Sequence, residues 1–195
     1  MAKGKEIIKP YRQGAFDSYC GLYSLLNVLS CCLGGRHRIS EEHAEALFRH
    51  VLQKLQKRKN LLDVATVGVD LADMTFLLPV VAAWLLKKTG DRLHWVRPFT
   101  PQVRVRSPVA YRALEVALIA KDCAAIVGVA GPTHHWSVLT RISRKRLILL
   151  DSGPLDWIDR KRLFDPKRDK DDDTYRLIAE DTFIVRIDTD HRSKR

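Results

Sequence analysis

Cysteine is scarce in this chain and poorly spaced for a metal. There are four, Cys20, Cys31, Cys32 and Cys123, in 195 residues. No two are separated by the two residues that a paired zinc ligand set uses. Four thiols are also too few for the dense disulfide framework of a small secreted scaffold. Long apolar runs are missing as well. The longest extends only from Phe76 to Leu86 and contains Pro79, whereas a membrane span needs about 20 apolar residues. The opening residues, Met1 to Glu6, lack the apolar core of a signal peptide. These absences predict a cytoplasmic protein with reduced thiols and no membrane association. The chain also lacks a P-loop, a dinucleotide-binding glycine fingerprint, a zinc-protease motif and a paired-carboxylate signature, so no metal and no cofactor are expected.

Repeats and Gly/Ser linkers are absent too, and the expectation is one domain over residues 1–195, with flexible ends at 1–9 and 189–195. Acidic side chains are the minority charge: 34 Lys and Arg stand against 23 Asp and Glu, a net +11. That balance favours acidic partners without choosing among nucleic acid, an anionic surface and an acidic protein. The cations concentrate in Lys54–Lys59 and Arg141–Arg146, both interleaved with apolar or polar residues and neither accompanied by an aromatic stacking motif. Such runs are most simply solvated surface.

What is present divides into two textures. Leu22, Leu25, Leu26 and Leu29 recur at helical spacing, which predicts a helix over about 19–32 stopped by Gly34 and Gly35. Ser40 followed by Glu41, Glu42 and Glu45 reads as an N-cap with an acidic first turn, opening a helix to about Arg58. A third helix is expected from Asp70 to Lys88, ended by Gly90. After Gly90 the pattern becomes strand-like at 92–97, 102–105, 124–130, 136–142, 146–150 and 182–188. One more helix is expected over 108–121, and the run Lys167–Asp173 reads as a charged loop. Helices first and strands later is the pattern of an α+β fold with segregated layers.

Two constellations carry chemistry. In Gln13-Gly-Ala-Phe-Asp-Ser-Tyr-Cys20-Gly21, a cysteine stands where a loop turns into an apolar helix. Free N–H groups and the helix dipole favour a thiolate there. Gly21 would leave room for a substrate to approach the sulfur. Gln13, seven residues upstream, could turn its amide N–H toward a developing oxyanion. Asp17 would cap the helix or support the turn. The second constellation is His134-His135-Trp136-Ser137-Val138-Leu139, followed by Leu149-Leu150-Asp151-Ser152-Gly153. Two strands joined by a turn near Ser143–Lys145 make a hairpin. A three-residue loop would put His135 and Asp151 on one face, because side chains alternate with period two. A loop of two or four residues would break that parity. His134 would lie at the pocket rim and Trp136 along the cleft. Cys31, Cys32 and Cys123 read as core residues, and His37, His43, His50, His94 and His191 as surface or structural ones without a partner.

The order Gln13, Cys20-Gly21, His135-Trp136, Leu149-Leu150-Asp151-Ser152 resembles that of the papain-like cysteine peptidases. It is nearest in texture to the C39-like group and more distantly similar to Josephin-type deubiquitinases. The likeness touches about residues 11–32 and 123–158, and 33–122 matches no family pattern. The gap from Gln13 to Cys20 is longer than is usual there, and no membrane segment or ATPase motif supplies a transporter context. The resemblance implies a papain-like α+β fold, an N-terminal helical half packed on a C-terminal antiparallel β-sheet. It implies Cys20 as nucleophile, His135 as base, Asp151 as its orienter and Gln13 as oxyanion donor. The expected activity is that of a thiol protease, a cysteine peptidase or isopeptidase acting on a protein or peptide. Acidic and ubiquitin-like substrates are among the candidates, and transglutaminase or deamidase chemistry uses the same parts. The alternative, from another class, is a basic binding module on that scaffold that recognises nucleic acid or an acidic partner.

Overall fold

A computed structural model describes residues 8–34, 39–99, 107–120, 122–132, 134–163 and 174–188. Helix α1 runs over Cys20–Leu33 and ends at Gly34, whose φ of 57° suits a residue without Cβ. Helix α2, Glu41–Leu55, is capped by the Ser40 hydroxyl, which accepts from the His43 amide. A short helix α3 covers Leu61–Thr66, and α4 covers Leu71–Thr89. Asp70 and Asp73 form a reciprocal capping box at the start of α4, and Gly90 closes it in the left-handed conformation. Strand β1 is Arg92–Val96, helix α5 is Ser107–Ala117, and the remaining strands are β2 Cys123–Ala130, β3 His135–Ile142, β4 Arg146–Leu150, β5 Trp157–Asp159 and β6 Arg176–Asp188.

The six strands form one sheet in the order β1-β6-β2-β3-β4-β5, with every neighbouring pair antiparallel. Helix and antiparallel sheet are therefore both present, as the order of textures predicts. The layers are not segregated, however. One core gathers α1, α2 and α4 against Ala124, Ile126, Trp136, Val138, Phe183 and Val185. A second gathers Tyr111 and Leu114 of α5 against Ala125, Val127, Val129, Leu139, Leu147 and Leu149 on the other face. The reason lies in β2. Its eight residues are buried on both faces, and a strand apolar on both sides needs cover on both.

Other differences have equally local causes. The second helix stops at Leu55, its last core residue, because Lys57 and Arg58 beyond it are exposed and have no apolar face to bury. Helix α3 buries only Val64, too little to show a period. Strand β6 begins six residues earlier than its apolar pattern suggests. It is interrupted at Ala179–Asp181, where the pairing with β2 jumps from Thr182–Val127 to Ile178–Gly128. The expected strand at 102–105, the charged run Lys167–Asp173, His37 and His191 lie outside the described residues, as do most of the expected flexible ends. Ile8, the first residue described, packs against the first core.

Candidate active site

The histidine half of the site is the β3–β4 hairpin. His135 is the first residue of β3, and Asp151 follows the last residue of β4. His135 Nε2 lies 2.9 Å from Asp151 Oδ2. The carboxylate is completely buried, and its other oxygen accepts from the Gly153 amide at 2.7 Å and the Leu155 amide at 3.4 Å. Burial by itself would push the Asp151 carboxyl up. The hydrogen bond and charge of His135 outweigh that, with the Gly153 amide adding to them, and hold it below the usual carboxylate value.

The cysteine half is the start of α1. Cys20 is its first residue and is partly exposed. Its thiol is one of the groups that act on the His135 ring. Since Nε2 is taken by Asp151, Nδ1 is the ring nitrogen left to serve a nucleophile. Burial favours neutral imidazole, but the hydrogen bonds and charges of Asp151 and Cys20 win. They raise the His135 pKa from 6.5 to about 10. A histidine that keeps its proton at neutral pH has one to give to a leaving group.

The start of α1 is suited to receive negative charge. Side chains cap α2, α3 and α4, from Ser40, Asn60 and Asp70. At α1 the N-cap position is Tyr19, with no side-chain cap. Its first amides are left without the side-chain acceptor that α2, α3 and α4 have, at the end of the helix that favours negative charge.

The loop ahead of Cys20 is held by specific bonds. Asp17 accepts from the Gly14 amide at 2.6 Å and the Tyr19 amide at 3.2 Å, so it supports the turn as expected. The Ser18 amide donates to the Ala65 carbonyl and its hydroxyl to the Thr66 carbonyl. Asn27, fully buried on α1, accepts from the Tyr11 amide and donates to the Tyr11 carbonyl. Gln13 is brought to the site by its backbone, whose N–H donates to the Ser152 carbonyl at 3.0 Å. Its side-chain oxygen is buried with no hydrogen-bond partner among the described residues. The structure thus brings together all four expected residues: Cys20, His135 and Asp151 through side chains, and Gln13 through the strand end beside Asp151. Asn27 was not among them. Its signal in the sequence was an amide inside an otherwise apolar helical stripe.

Three expectations about neighbouring residues are corrected. Gly21 does not open a path to the sulfur. A Cβ there would lie 2.2 Å from Val69 Cγ2 and 3.3 Å from both Met74 Sδ and Trp136 Cδ1, so its hydrogen makes room for packing. Trp136 does not line a cleft. It is buried, donates from Nε1 to the Val69 carbonyl at 2.8 Å and tilts against Phe183. Two histidines expected to lack partners have them: His94 pairs with Asp188 at 3.1 Å, and His43 meets the Trp84 ring edge to face. His134 is exposed just before β3, at the rim as expected.

Cys32 and Cys123 are buried, and burial raises both thiols. None of the four cysteines is in a disulfide. Among the described residues no group of three or more His, Cys, Asp or Glu could hold a metal ion, and no helix is long and apolar enough to cross a membrane. Several cations of the two basic runs already have partners. Lys59 bonds Asp73, Arg58 lies over the Phe76 ring, and Arg146 bonds Asp159 and covers Trp157. No family model matches the chain, and no curated protein matches it in sequence.

Proposed function

We propose that this protein is a thiol hydrolase of the cysteine-peptidase type, acting in the cytoplasm on a protein or peptide through Cys20, His135 and Asp151. One observation carries the reading. A partly exposed cysteine at an uncapped helix start acts on a histidine whose Nε2 is held by a buried carboxylate. Each member alone has a bland explanation, but the three together are the parts an activated nucleophile needs, which supports the reading. The similarity of the Gln13, Cys20, His135, Asp151 order to papain-like peptidases supports it.

In this reading the Cys20 sulfur attacks the scissile carbonyl carbon, and the carbon–oxygen π pair moves onto oxygen. The Gln13 carboxamide N–H and the first amides of α1 receive that charge. As the tetrahedral intermediate collapses, the carbon–nitrogen bond breaks and His135 gives its proton to the leaving amine. Water then attacks the thioester, with His135 taking its proton, and the acid and free thiol are released. Asp151 holds the imidazole in orientation and stabilises its charged form throughout.

The test is covalent. A peptide-based or ubiquitin-like electrophile incubated with the full chain should label Cys20, as mapped by mass spectrometry. Labelling should vanish in Cys20→Ala and fall at least tenfold in His135→Ala. Labelling of Cys20 that is indifferent to His135 would overturn the proposal.

A further inference from the structure

His135 and Asp151 sit on neighbouring strands, so they meet only if both side chains leave the same face of the sheet. Alternation makes this a question of register. Next to the turn, Ile142 opposes Leu147 and Arg141 opposes Ile148. Continued unbroken, that pairing would set Val138 opposite Asp151. Val138 packs in the core on the α1 face, so Asp151 would leave on that face and His135, three residues from Val138, on the other. The hairpin turn therefore gives the wrong parity.

The pairing does not continue unbroken. It shifts between Leu139 and Arg141, so that Leu139 opposes Leu149 and Val138 opposes Leu150. Thr140 is the extra residue of a β-bulge on β3. Beyond it, the same spacing sets Ser137 opposite Asp151 and His135 opposite Gly153, all on one face. The cores record the switch. Leu139 and Ile142 are three residues apart, which puts side chains on opposite faces of a regular strand, yet both pack in the second core. The bulge is also pinned: the Thr140 hydroxyl donates to the Ile148 carbonyl across the interruption at 3.1 Å.

We infer that Thr140 is a positioning residue of the site: as the extra residue of the bulge it turns Asp151 onto the face of His135, and its hydroxyl holds the bulge at that place. The inference rests on reading His135 and Asp151 as a working pair, but its test does not depend on turnover.

The His135 imidazole can be titrated by NMR in the full chain, where it keeps its proton to about pH 10. Thr140→Val keeps the residue but removes the hydroxyl that pins the bulge, so the midpoint should fall toward 6.5, the ordinary histidine value, with the fold followed by thermal unfolding. Thr140→Ser should leave it at the parental value. Deleting Thr140 removes the extra residue itself: the pairing next to the turn then runs unbroken to Leu139 opposite Leu149 and on to Ser137 opposite Asp151, so a folded deletion variant should keep the high midpoint. Identical titrations of Thr140→Val and the parent overturn the role of the hydroxyl, and a folded deletion variant that loses the high midpoint overturns the register argument. A chain that passes these tests while no electrophile labels Cys20 loses the proposed function and keeps the register device.

Discussion

Two segments of unlike construction meet where Cys20 faces His135. Residues 11–19, leading to the cysteine, form no regular element and are held by separate bonds: Asn27 on Tyr11, Asp17 on Gly14 and Tyr19, Ser18 on Ala65 and Thr66, Gln13 on Ser152. The histidine and its carboxylate are held by a backbone ladder interrupted at one bulge. A segment held by separate bonds fails piecemeal, because each bond contributes only about 1 kcal/mol. A ladder fails as a whole, because a slip of one residue turns every side chain over. The cysteine side should therefore answer mutation in graded steps and the histidine side in large ones.

The largest step belongs to Asp151→Asn. The amide fits the same space and leaves the register alone, but it cannot stabilise imidazolium. Turnover of a peptide the parent cleaves should fall by roughly 10³–10⁴ in kcat with KM little changed. A loss under tenfold would mean that Asp151 is structural. On the cysteine side, Gln13→Ala should lower kcat by about 10²–10³, since the carboxamide acts only once charge appears on the oxygen. Alkylation of Cys20 by a haloacetamide, which needs no oxyanion hole, should be unaffected. If peptide turnover survives Gln13→Ala, the oxyanion donors are the first amides of α1 alone.

A smaller effect separates packing from chemistry. Gly21→Ala gains up to about 1 kcal/mol of helix propensity but drives a methyl to 2.2 Å from Val69 Cγ2. Overpacking of that kind costs roughly 1–3 kcal/mol, so the net change is destabilising. Denaturant unfolding should show the loss. A more stable Gly21→Ala would mean that Val69 and Trp136 move aside freely.

The same contrast explains what the sequence made legible. The cysteine side is local in sequence: loop, Cys20 and apolar stripe lie within about one helix length, and Gly34 and Gly90 stop their helices where expected. On the histidine side, the coincidence of His135 and Asp151 was expected from a three-residue loop of the right parity. The coincidence holds for a different reason. Ile142 opposes Leu147 rather than Arg146, and the bulge at Thr140 restores the face. The sequence does carry a trace of it, since Leu139 and Ile142 are both apolar at a spacing no regular strand can bury on one side. Reading that trace requires the register, a pairwise property no single segment holds. The same limit hid the second layer, because only the sheet shows that α5 must cover the far face of β2.

The remaining effect is a pH dependence of stability confined to the histidine side. The folded pKa of His135 is raised from 6.5 to about 10. Its charged form is favoured in the folded state, so its contribution is complete below about pH 6.5 and is lost as pH rises through 10. The Asp151 carboxyl is shifted the other way, below 3.8. Its contribution is complete above the unfolded value and is lost as pH falls through the lowered folded one. The two shifts describe one interaction, so they bracket a plateau from about pH 4 to 6.5. Asp151→Asn removes the anion and with it most of the pull on the imidazole. The difference in Tm between parent and Asp151→Asn should therefore be greatest on that plateau. It should shrink steadily from pH 6.5 upward and be nearly gone by pH 10. Thermal melts of both proteins at half-unit intervals measure it. A difference that stays constant from pH 6 to 10 would mean that the carboxylate contributes only neutral hydrogen bonds, such as those from Gly153 and Leu155, and that no charged pair stands behind Cys20.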